Sequence, residues 1–304
     1  MKIFLLSLFA LCIAPAQQLR FGIIGTDTSH AGVFTKTLNE MGQHVVAAYK
    51  GGSPDIEEST SRVDKYAADL QTNWGVKLVE RISDLCPLVD GILLESVDGR
   101  PHLAQFREAV QCGKPVFIDK PLASTVEDAK EIDKLAKEKH IPWFSSSSLR
   151  YGATAELQSP DSVGAIVWGP GPTEPHHKLE MTWYGIHAIE MIYTLLGPGC
   201  SEVSATKSSD EDVLVGRWKD GKLGTVHLQR PYGKFGAVVF LKKNKLLAAP
   251  EIAVDYVPLV KEIVTFMQTK KPPVPNAVTL EIFAFMDAAQ RSEAAGGKSM
   301  PLVQ

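Results

Sequence analysis

Cysteine is scarce, with four residues in 304, at positions 12, 86, 112 and 200. None stands in a C-x-x-C spacing, and the last three are odd in number and far apart. Neither a disulfide framework nor a zinc site is suggested, so small buried apolar side chains are the plainer expectation. An excess of one charge is missing too. The 32 Lys and Arg against 35 Asp and Glu leave a net charge of −3, which offers no field for nucleic acid or an anionic membrane surface. No internal repeat or low-complexity segment is visible, "SSSS" at 145–148 being too short to count. No apolar run is long enough to span a bilayer; the longest, Ile3 to Ile13, falls short of about 20 residues.

That run has a context of its own. "MKIFLLSLFALCIAPAQQ" places one basic residue, Lys2, before the apolar stretch and Ala14-Pro15-Ala16 after it. Basic, apolar and small-x-small in that order predict a cleavable secretory leader over residues 1–16, with cleavage after Ala16. A first β-strand or a membrane anchor is the alternative. Bulky Leu11 before Cys12 argues against lipidation. The mature chain then carries 31 basic and 35 acidic side chains, a net charge of −4. A periplasmic or secreted location is expected, with no membrane contact after cleavage.

What is present is strand–helix alternation. "FGIIG", "HVVAAY", "GILLE", "PVFID" and "IPWFS" are short apolar runs that fit fully buried parallel strands. Ala31, Phe34, Leu38 and Met41 recur at helical spacing between them, as do Ala129, Ile132 and Leu135. Ser124-Thr125-Val126-Glu127 reads as a capping box closed by Ser124 and Glu127. Residues 17–148 therefore predict a Rossmann-like, doubly wound parallel sheet. Beyond Arg150, "GAIVW", "SEVSAT", "VLVGRW" and "LGTVHL" alternate, the last two joined through Asp220-Gly221, a hairpin signal. Helices are expected around "YGIHAIEMIYTLLG" and near 253–268 and 277–292. Residues 149–304 predict an α+β domain with a mainly antiparallel open sheet, so the chain as a whole is α/β.

Glycine is lacking where a nucleotide-binding turn needs it. The turn after the first strand reads Gly25-Thr26-Asp27-Thr28-Ser29-His30, with Asp27 and His30 at the second and third glycine positions. A carboxylate at Asp27 would face two phosphates; capping the next helix is its plainer role. The second strand ends in Tyr49-Lys50 without the acid that binds ribose hydroxyls. Lys50 and Ser53 suit a 2′-phosphate only weakly.

Elsewhere the chemistry is more specific. Asp119-Lys120-Pro121 follows a strand's carboxyl end, where ligands of open α/β sheets bind, and a partly buried Lys120 can donate a proton to a substrate oxygen. "WYGIHAIEMIY" puts His187, Glu190, Met191 and Thr194 on one helical face, where Glu190 could orient His187 as a base. A turn lysine and a satisfied structural histidine are the plainer readings. In "ESVDGRPHL", Arg100 could bind a substrate carboxylate or phosphate, or only pair with Asp98. Asp27, His30, Asp98, His102 and His187 could gather at the sheet's edge, but none shows metal-motif spacing and no metal is expected.

With these motifs in order, "GIIG", "GKPVFIDKPLA", "SLRY", "GIH" and the closing "EIVTFMQTKKPPVP", the chain resembles the glucose–fructose oxidoreductase/inositol dehydrogenase (Gfo/Idh/MocA) family over most of its length. "DKPLA" looks like the family's E-K-P motif and "YGIH" like its G-x-H motif, which implies Lys120 and His187 as catalytic residues. The resemblance also implies NAD or NADP at Gly25, Asp27, Thr28, Ser29, His30, Lys50, Asp119 and Pro121. It implies a sugar or cyclitol near Arg100, His102, Arg150, Trp183 and Tyr184, and a homo-oligomer built through the C-terminal sheet. Two departures stand out: the altered glycine turn, and Trp183 where the family often has an aspartate four residues before the histidine. The expected function is an NAD(P)-dependent oxidoreductase on a carbohydrate. The alternatives are a cofactor-independent epimerase, lyase or hydrolase, and an exported carbohydrate-binding protein.

Overall fold

The computed structural model describes residues 18–303; the predicted leader lies outside them. The first sheet uses β1 (Arg20–Ile24), β2 (His44–Tyr49), β3 (Lys77–Val79), β4 (Gly91–Leu94), β5 (Val116–Ile118) and β6 (Trp143–Ser145). All pair parallel in the order β3-β2-β1-β4-β5-β6. The order reverses between β1 and β4, so a crevice opens beyond their carboxyl ends. Five of these strands are the expected apolar runs. β3 was missed, because three residues beginning with Lys77 carry no period.

The connecting helices are α1 (Ser29–Glu40), the one-turn α2 (Glu57–Thr60), α3 (Val63–Trp74), α4 (His102–Ala109) and α5 (Val126–Lys139). Two predicted caps shift by one residue. At α1 the cap is Thr28, whose hydroxyl accepts from His30 N at 3.2 Å, so Asp27 does not cap the helix. At α5 it is Thr125, accepting from Asp128 N at 3.0 Å, rather than the Ser124–Glu127 pair. Thr125 holds the extended φ/ψ that an N-cap requires.

Cys86 and Cys112 form a disulfide, with an S–S distance of 2.04 Å, against the expectation of buried thiols. They lie 26 residues apart in sequence, and α4 brings Cys112 back beside the turn that ends at Cys86. This pairing is tertiary, so no sequence spacing announces it. Cys200 is free and buried, as expected.

After the one-turn α6 (Ala153–Glu156), the second sheet contains β7 (Ser162–Pro170), β8 (Cys200–Lys207), β9 (Glu211–Trp218), β10 (Leu223–Gln229), β11 (Phe235–Leu241), β12 (Lys245–Ile252) and β13 (Met300–Pro301). Its order is β12-β11-β7-β10-β9-β8-β13, antiparallel except between β7 and β10. α7 (Ile186–Leu196) packs on β7 and β10 and is buried along its whole length. α9 (Asn276–Ala294) packs on β8. α8 (Val257–Thr269) turns back to the first sheet: Leu259, Val260, Ile263 and Phe266 share a core with Phe21, Phe34, Phe117 and Phe144. The chain's last third thus clamps both layers and fixes α7 over the crevice. Among the described residues, no helix is long and apolar enough to cross a membrane.

Candidate active site

The crevice is built from the turn after β1. Gly25 has φ of +93°, and a Cβ there would sit 2.3 Å from Ser96 N, so only glycine lets this turn lie against the end of β4. Asp27 is wholly buried, and it accepts from Ser59 Oγ at 2.6 Å and from Val97 N at 3.1 Å. The carboxylate ties the turn to α2 and to the loop after β4. It does not face the cavity, contrary to the expectation that it would oppose phosphates. Thr28, Ser29 and His30, which follow it, do line a cavity of about 410 Å³.

Lys120, Trp183, Tyr184 and His187 line the same cavity, with Arg62, Tyr232 and Tyr256. Lys120 Nζ stands 5.8 Å from the centre of the Tyr184 ring. Burial lowers its pKa, and the neighbouring Asp119 opposes that shift. Burial, then Lys120, holds the His187 imidazole well below its ordinary value, so the ring is neutral near pH 7. Asp119 lies behind the cavity wall. It is 2.5 Å from His30 Nδ1 and accepts the Lys120 amide at 2.8 Å. Burial alone would raise it, but His30 and Lys120 more than offset that and keep it below the ordinary carboxylate range.

His187 is not oriented by Glu190. Its Nδ1 lies 2.7 Å from Ser147 Oγ. Glu190 accepts from Ser146 Oγ, Ser147 N and Arg150 Nε, at 3.3, 3.0 and 2.7 Å. The buried Arg150–Glu190 pair therefore holds the 145–148 loop, and Arg150 does not line the cavity. Ser147 acts on His187 from that loop, a role hidden by the short serine run.

Several other candidates are committed elsewhere. Arg100 forks onto Asp55 at 2.8 and 2.7 Å and donates to Asp98 at 2.9 Å, so the pairing alternative holds and it is not free for a substrate. Asp98 also accepts from Ser53 Oγ at 2.6 Å and meets His177 Nε2 at 2.9 Å. His102 is wholly buried between the carbonyls of Ser96 and Leu122, at 2.9 and 3.2 Å, away from the cavity. Lys50 is ion-paired with Asp64. Pro121 is buried beside Gly99. Trp183 is nearly buried and stands edge-on to His177, 5.2 Å between centroids, while one part of it reaches the cavity. Tyr184 donates its hydroxyl to Tyr232 at 2.8 Å. Arg62, Tyr232 and Tyr256 were not foreseen; they come from loops without periodicity.

The oxidoreductase family described as having an NAD-binding Rossmann fold matches residues 19–145. The match covers the first domain, residues 19–145 of 304, and likens that domain to the Gfo/Idh/MocA family. A 1,5-anhydro-D-fructose reductase of Ensifer adhaerens is 30% identical over 135 residues, which are 44% of this chain and 38% of that protein. The chain spans 36–38% of the length of the curated relatives it matches. Among solved structures, GenD2 from gentamicin A biosynthesis, in complex with NAD, superposes with a TM-score of 0.78 at 16% identity, covering 98% of this chain and all of that one. The myo-inositol dehydrogenase of Lactobacillus casei, in complex with NAD(H) and myo-inositol, gives 0.72 at 19% identity, covering 95% and 98%. Identities this low speak for the fold alone.

The family's dinucleotide can be tested against these residues. Thr28 and Ser29 line the cavity where α1 begins, and the first amides of a helix have no intrahelical acceptors, which suits a pyrophosphate at the helix's positive end. Gly25 keeps the tight turn, and the Asp27 carboxylate is folded away from the cavity and hydrogen-bonded to Ser59 and Val97. No acid ends β2 to bind ribose hydroxyls. The residues fit the pyrophosphate and leave the adenosine end weakly specified.

Proposed function

We propose that this protein is an NAD(P)-dependent oxidoreductase that interconverts a secondary hydroxyl and a ketone on a sugar or cyclitol. The observation that carries the reading is the meeting of Lys120, His187 and the α1 N-terminus in one cavity. A bound nicotinamide supplies the hydride chemistry. The chain's own residues do the rest. The Thr28 and Ser29 amides bind the anionic linkage, and Lys120 donates a hydrogen bond to the reacting oxygen and steadies its charge. Trp183 and Tyr184 offer flat walls to sugar C–H groups.

Export is part of the proposal: the Cys86–Cys112 disulfide is of the kind that persists in oxidising compartments and agrees with the predicted leader. Self-association through the second sheet is also proposed, since Phe240, Leu246 and Leu223 leave apolar surface exposed on it. The test is a screen of aldoses, ketoses and cyclitols with NAD and NADP, read as formation of reduced nicotinamide. Turnover of a substrate without nicotinamide would select the cofactor-independent alternative instead.

A further inference from the structure

Two histidines line the cavity, and their partners differ in kind. His187 Nδ1 faces the hydroxyl of Ser147, which already accepts the Leu149 amide at 3.1 Å. Among the described residues Nδ1 is the one acceptor within reach of the serine O–H, so the hydroxyl donates to it and the ring's own proton sits on Nε2. No carboxylate touches this ring, because Glu190 is spent on Ser146, Ser147 and Arg150. A neutral imidazole with Nε2–H toward the cavity donates a hydrogen bond. It is poorly placed to take a proton beside the Lys120 ammonium.

His30 is arranged the other way. Its Nδ1 meets the buried carboxylate of Asp119 at 2.5 Å, which fixes the proton on Nδ1 and leaves the lone pair on Nε2. Nε2 lies 3.1 Å from the hydroxyl of Tyr256, and both residues line the cavity. The ring is held against Phe34, stacked at 5.2 Å between centroids. Tyr256 keeps its proton, since burial and then Asp119 push it up to about 12, so it donates to Nε2.

We propose that His30, backed by Asp119, is the proton-exchanging base of this cavity, and that His187 is a hydrogen-bond donor. The inference rests on the oxidoreductase reading only for the identity of the substrate. The substrate hydroxyl gives its proton to Nε2, directly or by passing it to Tyr256 oxygen as the tyrosine's own proton moves to Nε2. The electron pair of the broken O–H bond stays on the substrate oxygen, beside Lys120. The imidazolium formed is balanced by Asp119, as a serine could not balance it at His187. Asp119 and Lys120 after β5 and Tyr256 before α8 stand next to His30, with Glu95 behind Asp119. The other titratable or charged groups of the cavity are His187 at α7, Tyr184 before it, Arg62 before α3, Glu58 in α2, Glu174 after β7 and Tyr232 before β11. Asp119 is a positioning residue; His30 and Tyr256 are the catalytic ones.

Two measurements test this. Histidine-selective ¹⁵N NMR on the whole mature protein, near neutral pH and without substrate, reads the tautomers. Nδ1–H on His30 with Nε2–H on His187 is expected, and the opposite pattern at either ring overturns the proposal. With a substrate from the nicotinamide screen, kcat/KM should fall on the acidic side in wild type and in His187→Gln. That limb should vanish in His30→Gln, with turnover down by two to four orders of magnitude, roughly the span of a general base. A limb that persists in His30→Gln, or vanishes in His187→Gln, overturns it. Asp119→Asn, read by the same NMR, serves if His30→Gln fails to fold, and His30 should then lose its fixed Nδ1 proton. If the screen finds no nicotinamide-dependent substrate, the oxidoreductase reading fails while the tautomer measurement still decides the assignment of His30.

Discussion

Ser147 Oγ lies 2.7 Å from His187 Nδ1, and the serine is itself held by the Leu149 amide and the Glu190 carboxylate. A serine hydroxyl thus fixes the imidazole, with Trp183 rather than an acid four residues before the histidine. Ser147→Ala removes two buried hydrogen bonds, the one to His187 and the one from the Leu149 amide, each worth about 0.5–1.5 kcal/mol. The expected outcome is a fall in kcat of up to about tenfold with little change in KM, because the ring's tautomer is loosened while the cavity walls stay. An unchanged kcat would mean that this contact does not set the ring's role.

Lys120→Met should remove turnover by about two to four orders of magnitude while the fold persists. The ammonium is desolvated in the cavity wall. Its replacement by an apolar chain of similar length relieves that cost, so the melting temperature should hold or rise. Turnover equal to wild type would take Lys120 out of the mechanism.

Much of this was legible in the chain. Buried parallel strands advertise themselves as apolar runs, so β1, β2, β4, β5 and β6 could be read, and Lys120 and His187 sit in motifs tied to strand and helix ends. What could not be read depends on side chains meeting across the fold. Arg100 reads in the sequence as a substrate ligand or a partner of Asp98 alone, and only the fold brings Asp55, from the segment between β2 and α2, within reach of its fork. Asp27 looked like an obstacle to phosphate because nothing local shows that Ser59 and Val97 capture it. The β11–β12 hairpin was also missed, since β11 is a mostly buried apolar run without alternation and β12 is largely exposed.

Asp27→Gly should not tighten nicotinamide binding. The carboxylate is already turned from the cavity, and its loss leaves Ser59 Oγ and Val97 N without their acceptor. Two buried donors stripped of a charged acceptor cost about 2–4 kcal/mol. The expected result is a lower denaturation midpoint, with cofactor affinity unchanged or weaker by calorimetry at fixed salt. Tighter binding at undiminished stability would show that the carboxylate does oppose phosphate.

The disulfide closes a loop between residues 26 apart. On the chain-entropy account, such a loop stabilises the fold by about 3 kcal/mol. Reductant, or Cys86→Ser with Cys112→Ser, should lower the urea midpoint by that order. Thiol titration of the unfolded, unreduced mature chain should find Cys200 alone. Two further thiols would mean that the bridge does not form.

Glu95, just past β4, is wholly buried, and both its carboxylate oxygens lack a partner among the described residues. Burial first, and then the nearby Asp119, raise its pKa well above the ordinary value, so the folded protein holds it protonated. In the unfolded chain the same group ionises in the usual carboxylate range. Below that range both states are protonated, and the stabilisation is fully present. As pH rises toward the folded-state value, only the unfolded state loses the proton. Stability then falls by as much as about 1.4 kcal/mol for each pH unit. Glu95→Gln has no proton to lose, so its stability should decline less steeply from mildly acidic to neutral pH. The amide brings an offset of its own, since buried N–H donors without acceptors cost about 1–3 kcal/mol. That offset does not change with pH, so the slope is diagnostic and the intercept is not. Urea denaturation of wild type and Glu95→Gln across this range measures it. Parallel curves would mean that Glu95 ionises alike in the folded and unfolded states.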